Sequence, residues 1–257
     1  ILNLPSPPAK IAKYVRYIGS CVEDIAQESM KEALEEAIEE TENNEQRELT
    51  VALDGSWQKR GHVSLNGIVT ATSGDASKVI DVVILSKHCR CPNKTKNEHQ
   101  QNCEANYSGS SGGMEVEGVK QIFSRSLPLY NAKYINYLGD GDSKSFSAVE
   151  ELKPYGENVK IKKLECVGHI QKRMGARLTR LKQSMSKQLL SDGKTIGGRG
   201  RLTADAIDRL QRYYGCAIRQ NTQSVADMNK AVWAAFLNTA STNVNPQHFM
   251  CPKALIP

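Results

Sequence analysis

The chain has 257 residues, with 34 Lys and Arg against 28 Asp and Glu, 39% hydrophobic residues and seven cysteines. This apolar fraction and the mixture of charges exclude a disordered tail, and the length can bury a full core. No apolar run approaches the roughly 20 residues that a membrane helix needs, so we predict no membrane partner. An odd number of cysteines in so long a chain favours a reducing compartment, with metal-bound or free thiols, over a disulfide framework.

The charges are unevenly distributed along the chain. Residues 1–50 carry 5 basic and 11 acidic side chains, residues 51–158 carry 12 of each, and residues 159–257 carry 17 basic and 5 acidic. A basic block indicates a polyanionic partner, and nucleic acid is the foremost candidate. The alternative is a basic helix surface that is merely solvated.

The first half of the chain predicts one helix followed by strands. Residues 8–42 predict a long amphipathic helix, because apolar residues recur at steps of three and four: Ile11, Val15, Ile18, Val22, Ile25, Met30, Leu34 and Ile38. We interpret it as a helix packed on the domain with a solvated acidic face, and a dimerising or partner-binding helix is the alternative. Three β-rich runs at 49–55, 64–74 and 78–87 then predict an antiparallel meander.

The second half predicts alternating helices and strands. After a polar insertion at 88–113, helices are predicted over 114–127, 143–156 and 169–185, and strands over 132–140 and 159–167. A Gly-rich basic loop at 192–201 precedes helices at 202–220 and 224–240. The fold class is therefore α/β, a mixed sheet flanked by helices. We expect three segments: an N-terminal helix region at 1–48, a core at 49–175, and a basic helical segment with Cys and His at 176–257.

Acidic residues stand at the ends of two predicted strands. Asp54 ends the first strand, and Asp140 and Asp142 end the fourth. If these strands are neighbours, their carboxylates lie side by side, where a divalent cation relieves the repulsion. Two Mg²⁺ ions held there would activate a water or a 3′-hydroxyl at a phosphodiester. An Asp-Gly pair is also ordinary turn chemistry, so this interpretation rests on both positions together.

Two sets of cysteines and histidines have the spacing of metal ligands. The polar insertion has no apolar core of its own and predicts a structural zinc held by Cys89, Cys91, His99 and Cys103, with His88 as a substitute. Disulfides in a secreted protein are the competing interpretation, supported weakly by glycosylation sequons at Asn93 and Asn106.

The second set of ligands is divided between two places in the sequence. Cys166 and His169 form one half of a zinc site, and His248 and Cys251 have the mirrored spacing of the other half. Alternatively, each is a buried cysteine or a hydrogen-bonded histidine.

Basic side chains in three places are candidates for contact with nucleic acid. Lys59 and Arg60 follow the first strand, and Arg199 and Arg201 belong to the Gly-rich loop. The remaining candidates share one helix, where positive charges along its length suit a phosphate backbone: Lys172, Arg173, Arg177 and Arg180.

Four longer motifs carry a resemblance to a known family. They are LDGSWQKRGH (53–62), the Cys/His insertion running into GSSGGMEVEG (109–118), GDGDSKSF (139–146) and ECVGHIQKRMG (165–175), and they are extended by GGRGRLT (197–203), LQRYYG (210–215) and HFMCP (248–252). In this order they resemble the Mutator-like transposases, specifically the animal proteins with a Mutator-like transposase domain. The resemblance implies a ribonuclease H-like core that cuts and joins DNA with two Asp and one Glu, which bind Mg²⁺ or Mn²⁺.

The resemblance also assigns roles to individual residues. Asp54 matches the first Asp of the family and Asp140 the second, with Asp142 as the fallback. Cys166 and His169 match the Cys-x-x-His that follows the second Asp, and residues 176–240 look like the family's helical insertion. The implied partner is double-stranded DNA at transposon ends, the implied location is the nucleus, and homo-oligomerisation stays open.

The sequence departs from the family pattern at the third carboxylate. After Glu165 the remaining 92 residues contain no glutamate. We therefore expect the chain to stop before the helix that would supply the catalytic Glu, through truncation or degeneration. This favours an alternative function, that of a domesticated, non-catalytic DNA-binding or scaffold protein that retains the fold.

Overall fold

The computed structural model describes residues 11–41, 44–59, 63–74, 76–89, 91, 103, 105–139 and 143–251. These residues form five strands and six α-helices in two compact units, unit 1 (Ile1–Leu164) and unit 2 (Glu165–Pro257). The finer division into three segments stays a prediction. Within the described ranges, every helix is too short or too polar to cross a lipid bilayer.

Unit 1 is built on a five-stranded sheet in the order β3-β2-β1-β4-β5. Its strands are β1 (Glu48–Trp57), β2 (Asn66–Ser73), β3 (Val79–Ser86), β4 (Lys133–Gly139) and β5 (Lys162–Glu165). The first three strands are antiparallel neighbours, and β4 pairs with β1 in parallel. The predicted meander and the mixed sheet are confirmed. The first and fourth strands are neighbours, which is the condition on which the predicted carboxylate site depends. The last strand is shorter than predicted, since it lies at the sheet edge and its side chains are half-buried or exposed.

The core of unit 1 lies against one face of this sheet. Leu49, Val51 and Leu53 alternate along β1 and are buried, as expected of a strand with one covered face. The helix α2 (Gly113–Tyr130) packs on the sheet, and α3 (Ser143–Leu152) packs on α2. Both helices were predicted from their periodicity, and the chain leaves the helical conformation before Pro154, as predicted.

Only the second half of the helix α1 (Ile11–Glu39) follows the predicted packing. Ala33, Leu34, Ala37 and Ile38 are buried in the core of unit 1. The apolar residues of its first half are exposed, with Ile18 at 60% and Ile25 at 66%. The predicted stripe is therefore not one continuous packing surface.

An ion pair between a buried carboxylate and a half-buried guanidinium joins the sheet to α2. Asp81 of β3 is 1% exposed, and the guanidinium of Arg125 donates from Nε to Asp81 Oδ2 at 3.0 Å and from Nη2 to Asp81 Oδ1. The same Nη2 donates to the carbonyl oxygen of Val82 at 2.6 Å, and the hydroxyl of Tyr130 approaches Asp81 Oδ1 at 3.4 Å. A bidentate pair of this kind compensates the carboxylate for its lost hydration.

One glycine sets how closely α2 approaches β2. A Cβ placed on Gly118 would lie 2.5 Å from Cγ2 and 2.8 Å from Cβ of Val69. Those atoms belong to a buried, β-branched side chain that cannot swing away. The close approach of helix and sheet therefore requires glycine at this position.

Unit 2 is helical in its described part. It contains α4 (Val167–Ser184), α5 (Ala204–Gln220) and α6 (Val225–Ala240). The predicted N-caps are confirmed, since Thr203 Oγ1 accepts from the backbone N–H of Ala206 at 3.1 Å and Ser224 Oγ from that of Asp227 at 3.2 Å. α4 packs on α5, and α5 packs on α6.

Replacing Arg125 with Met should destabilise the fold by about 3–5 kcal/mol, because Asp81 would stay buried without its counter-charge. Urea unfolding measures this loss. The control is Lys153→Met, which removes an exposed ion pair to Glu157 and should cost about 0–1 kcal/mol. Equal losses in the two variants would contradict the role given to the pair of Arg125 with Asp81.

Replacing Gly118 with Ala should destabilise the fold by about 1–3 kcal/mol through overpacking against Val69. Gly112→Ala is the matched control, since a Cβ there meets nothing within 4 Å. In a double-mutant cycle followed by urea unfolding, Val69→Ala should recover part of the loss caused by Gly118→Ala. If the losses of stability in the two single variants simply add in the double variant, the contact between position 118 and Val69 does not limit the approach of α2 to β2.

Candidate metal centre and nucleic-acid interface

Hydrogen bonds close the base of the Cys/His insertion. The backbone N–H groups of Asn106 and Tyr107 donate to the carbonyl of Ser86 at 2.9 and 3.0 Å. In return the N–H of Ser86 donates to Asn106 Oδ1 at 2.7 Å, and Asn106 Nδ2 donates to the carbonyl of Ile84 at 2.8 Å. The two ends of the insertion, 20 residues apart in sequence, are thereby held together at the end of β3.

Three cysteines gather just inside this closed base. Cys89 stands three residues after Ser86, and Cys103 stands three residues before Asn106. The Sγ atoms of Cys89, Cys91 and Cys103 lie within 4.8 Å of one another. In a tetrahedral zinc site with Zn–S bonds near 2.3 Å, sulfurs are roughly 3.8 Å apart, so the cluster is close to that geometry. Three of the four predicted ligands are therefore together, and His99 lies outside the described residues.

The environment of the three sulfurs suits a soft cation. Cys91 is 6% exposed, and its backbone N–H donates to Cys89 Sγ at 3.4 Å. The pKa of the Cys103 thiol is raised: a hydrogen bond with the Ala105 backbone lowers it, but burial and the neighbouring thiols of Cys91 and Cys89 together raise it by more. Binding of a metal would replace the thiol protons and remove the repulsion between thiolates. The cluster could hold a metal such as zinc.

The disulfide interpretation finds no support at these positions. All seven cysteines, each of them within the described residues, are free thiols. The side-chain amide of Asn106, in the second sequon, is hydrogen-bonded within the protein through both its oxygen and its nitrogen. Asn93 lies outside the described residues.

Asp54 is exposed near the end of β1. Its strand partner is Thr70, whose Oγ1 approaches the carbonyl oxygen of Asp54 at 3.5 Å. The next residue, Gly55, faces Glu115 of α2, so the Asp54 side chain points to the opposite face of the sheet. Asp140 and Asp142 lie outside the described residues, and a carboxylate cluster at this edge stays a prediction.

The second predicted zinc site is not assembled in this structure. Cys166 precedes α4 and His169 lies in its first turn. His248 Nδ1 lies 3.8 Å from Cys251 Sγ, and its Nε2 lies 3.0 Å from Ser241 Oγ. Among the described residues the three insertion cysteines are the single group of three or more ligands. A joint site of these two pairs therefore stays a prediction.

α4 presents a basic surface. At about 100° of rotation per residue, Arg173, Arg177 and Arg180 fall within roughly 60° of one another, on the side away from the buried Gly175. These three arginines are exposed, as is Lys172, and the helix contains no acidic residue. Arg173 also pairs with Glu165 within unit 2. The predicted basic helix is confirmed, and its contact with nucleic acid stays a prediction.

The other basic residues that we predict to contact nucleic acid differ in their exposure and in their bonds within the protein. Lys59 and Arg199 are exposed, and Arg60 lies outside the described residues. Arg201 is half-buried, donates to the carbonyl of Thr195 at 2.8 Å and pairs with Asp192, so it is engaged within its own loop. Sequence reasoning did not single out exposed basic residues on α5, namely Arg209, Arg212 and Arg219, although helical periodicity would have placed them on its surface.

The Cys103→Ser variant should bind one metal ion fewer per chain than the wild type, since it removes one of three gathered thiolates. Elemental analysis of reduced protein measures this number, and the absorption of a Co²⁺-loaded sample reports thiolate ligation. Cys216→Ser, on an exposed position of α5, should keep the wild-type content. Wild-type protein with less than one ion per chain would contradict the metal centre.

Comparison with known proteins identifies one family. A family model described as Mutator-like transposase matches residues 1–255, which include both units. No curated protein and no solved structure matches the chain.

Proposed function

Because the chain belongs to the Mutator-like transposase family, we propose that it is a transposase-derived nuclear protein that binds double-stranded DNA at transposon ends. We propose a ribonuclease H-like core in which Asp54 and Asp140, with Asp142 as the fallback, hold Mg²⁺ or Mn²⁺ for phosphodiester cleavage and strand transfer. The parallel pairing of β1 with β4 is the observation that carries this proposal.

The pairing supports a shared metal site through its register. The parallel pairs run to Ala52 and Leu138, and Asp54 and Asp140 each follow this last pair by two residues in the sequence. Neighbouring parallel strands end at the same edge of a sheet, where α/β proteins bind their ligands. A divalent cation bound there would activate a hydroxyl nucleophile and stabilise the leaving oxygen of a phosphodiester. Asp54 is exposed and accessible to such an ion and to DNA.

The basic surface of α4 supports the proposed DNA binding. Guanidinium groups form bidentate contacts with phosphate, and neutralising phosphates releases counterions from DNA. Unit 2 carries 14 basic and 5 acidic side chains, so the excess of positive charge belongs to the unit that contains α4. Lys59 and Lys172 are further exposed cations that we assign to this contact.

Zinc in the Cys/His insertion has a structural role in this proposal. Cys89, Cys91 and Cys103 lie between β3 and α2, so the metal would link the two ends of a segment whose sequence is polar. We assign the fourth ligand to His99.

A non-catalytic DNA-binding or scaffold protein is the second candidate, and the acidic residues favour it. Glu165 pairs with Arg173, and Asp192 pairs with Arg201. The later acids are exposed residues of α5 and α6: Asp205, Asp208 and Asp227. Each of these acids is either paired with an arginine or exposed on a helix, so none is an evident third carboxylate.

Removing two arginines from α4 should weaken DNA binding and its dependence on salt. For the double variant Arg177→Ala with Arg180→Ala, the slope of log K against log salt should fall in magnitude by about 1.8, or about 0.9 for each lost phosphate contact. Fluorescence anisotropy with a labelled duplex measures the slope. The double variant Lys78→Ala with Lys153→Ala removes the same charge from unit 1 and should leave the slope unchanged. Equal effects in both would contradict a specific role of α4.

Nicking of a supercoiled plasmid in Mn²⁺ separates the two candidate functions. The catalytic proposal predicts nicking by the wild type, loss of nicking in Asp54→Asn, and normal nicking in Asp205→Asn. If the wild type binds DNA but does not nick it, the non-catalytic candidate is favoured. Nicking that persists in Asp54→Asn would exclude Asp54 as a metal ligand.

A further inference from the structure

The first half of α1 carries a line of exposed apolar side chains. We name this line the α1 seam; its members are 44% to 66% exposed: Ile11, Val15, Ile18, Val22 and Ile25. It extends over four turns of helix, or about 21 Å at 1.5 Å per residue. A continuous apolar line of this length on a helix indicates a contact surface.

The α1 seam does not face the protein's own core. At about 100° per residue, the seam is centred roughly 100° around the helix from the side that buries Leu34 and Ala37. In the first half of α1, the core-facing side carries small or polar residues instead: Gly19, Glu23, Ala26 and Gln27. These residues line a groove of about 830 Å³ bounded by β3 and α2, and of the five seam residues only Val22 reaches its edge. The seam is therefore a second apolar surface, and the core of unit 1 does not account for it.

The spacing of the seam identifies the kind of partner. Its steps are four, three, four and three residues, which is the heptad spacing of a and d positions in a left-handed coiled coil. Val15 and Val22 occupy a positions, and the three isoleucines occupy d positions. Such a line packs best against a second helix with the same period. We propose that the α1 seam binds the α1 seam of a second copy of this chain in an antiparallel, two-fold symmetric coiled coil.

The charge of α1 favours the antiparallel arrangement of two copies. Residues 11–22 carry two basic and no acidic side chains, whereas residues 23–29 carry three acidic and no basic side chains. The later acids Glu35 and Glu36 are paired with Arg47 and Lys78 within unit 1. Parallel helices would place like charges side by side. Antiparallel helices bring the basic part of one copy beside the acidic part of the other, at an interaxial distance of about 8–10 Å that salt screens only partly. Opposed helix dipoles add to this preference.

One register of the two antiparallel helices places seam residues opposite each other in every layer of their interface. It sets Val15 against Ile25 of the second copy, and Ile18 against Val22 of the second copy, which gives four a–d layers. In this register Cys21 lies at the edge of the seam beside the two-fold axis, about 3 Å along the axis from Cys21 of the second copy. Cys21 is an exposed free thiol. A disulfide between the two copies would therefore report this arrangement.

The helix α1 is already folded and anchored before the two copies associate. Its second half is anchored in the core of unit 1, so the helix is formed before it associates and loses little conformational entropy. Five apolar side chains from each copy bury less than the roughly 1,200 Å² of a stable interface. We therefore expect a weak, reversible dimer.

Sedimentation equilibrium on the full chain under reducing conditions tests the dimer. The wild type should dimerise reversibly with increasing concentration, and Ile18→Asp, which places charges in the centre of the seam, should weaken dimerisation at least about 10-fold. Val225→Asp is the control, because it adds the same charge at an 82% exposed position of α6 and should dimerise as the wild type does. A monomeric wild type, or a dimer unchanged by Ile18→Asp, would overturn the proposal.

Disulfide trapping tests the orientation. Mild oxidation should cross-link the wild type and Cys216→Ser, whose missing thiol is also exposed, but not Cys21→Ser. In a parallel pair the two Cys21 thiols would lie on opposite edges of the interface, so they would not cross-link. If Val22→Cys in the Cys21→Ser background cross-links while the wild type does not, the helices are parallel and the antiparallel arrangement is wrong.

Discussion

The parallel pairing of β1 with β4 is the contact on which the arrangement of unit 1 depends. It joins the antiparallel meander on one side to the following βα segments on the other, and makes β1 the central strand. The burial of Leu49, Val51 and Leu53 fixes the register, because a shift by one residue would turn these side chains away from α2. The same shift would turn Asp54 inward. The exposure of Asp54 is thus a consequence of the apolar pattern of its own strand.

Features of the fold that arise from local sequence could be predicted. The strands of the meander, the helices α2 to α6 and the caps at Thr203 and Ser224 all follow from periodicity or from a side chain near its own helix terminus. The insertion cysteines could also be predicted, since ligand spacing is a local signal. The contacts that bring these cysteines together could not be predicted from the sequence, because the hydrogen bonds between Ser86 and Asn106 join residues 20 positions apart.

Features that depend on contacts between distant elements could not be predicted. Asp81 stands between apolar residues of β3, and its partner Arg125 lies 44 residues later on a helix whose orientation the sequence does not specify. Steps of three and four residues along the whole length of α1 predict one apolar surface, whereas the structure has two. A change of face within one helix becomes visible only when the helical angle of each residue is considered.

Affinity cleavage tests directly whether a metal ion binds between the ends of β1 and β4, as we propose. Protein whose thiols are first loaded with zinc would be given Fe²⁺ in place of Mg²⁺, then ascorbate and peroxide, so that hydroxyl radicals cut the backbone beside the bound iron. We predict cuts close to Asp54 and close to Gly139 in the same sample, and the loss of both in Asp54→Asn. Cuts at only one of these strand ends, or cuts that persist in Asp54→Asn, would contradict the shared site.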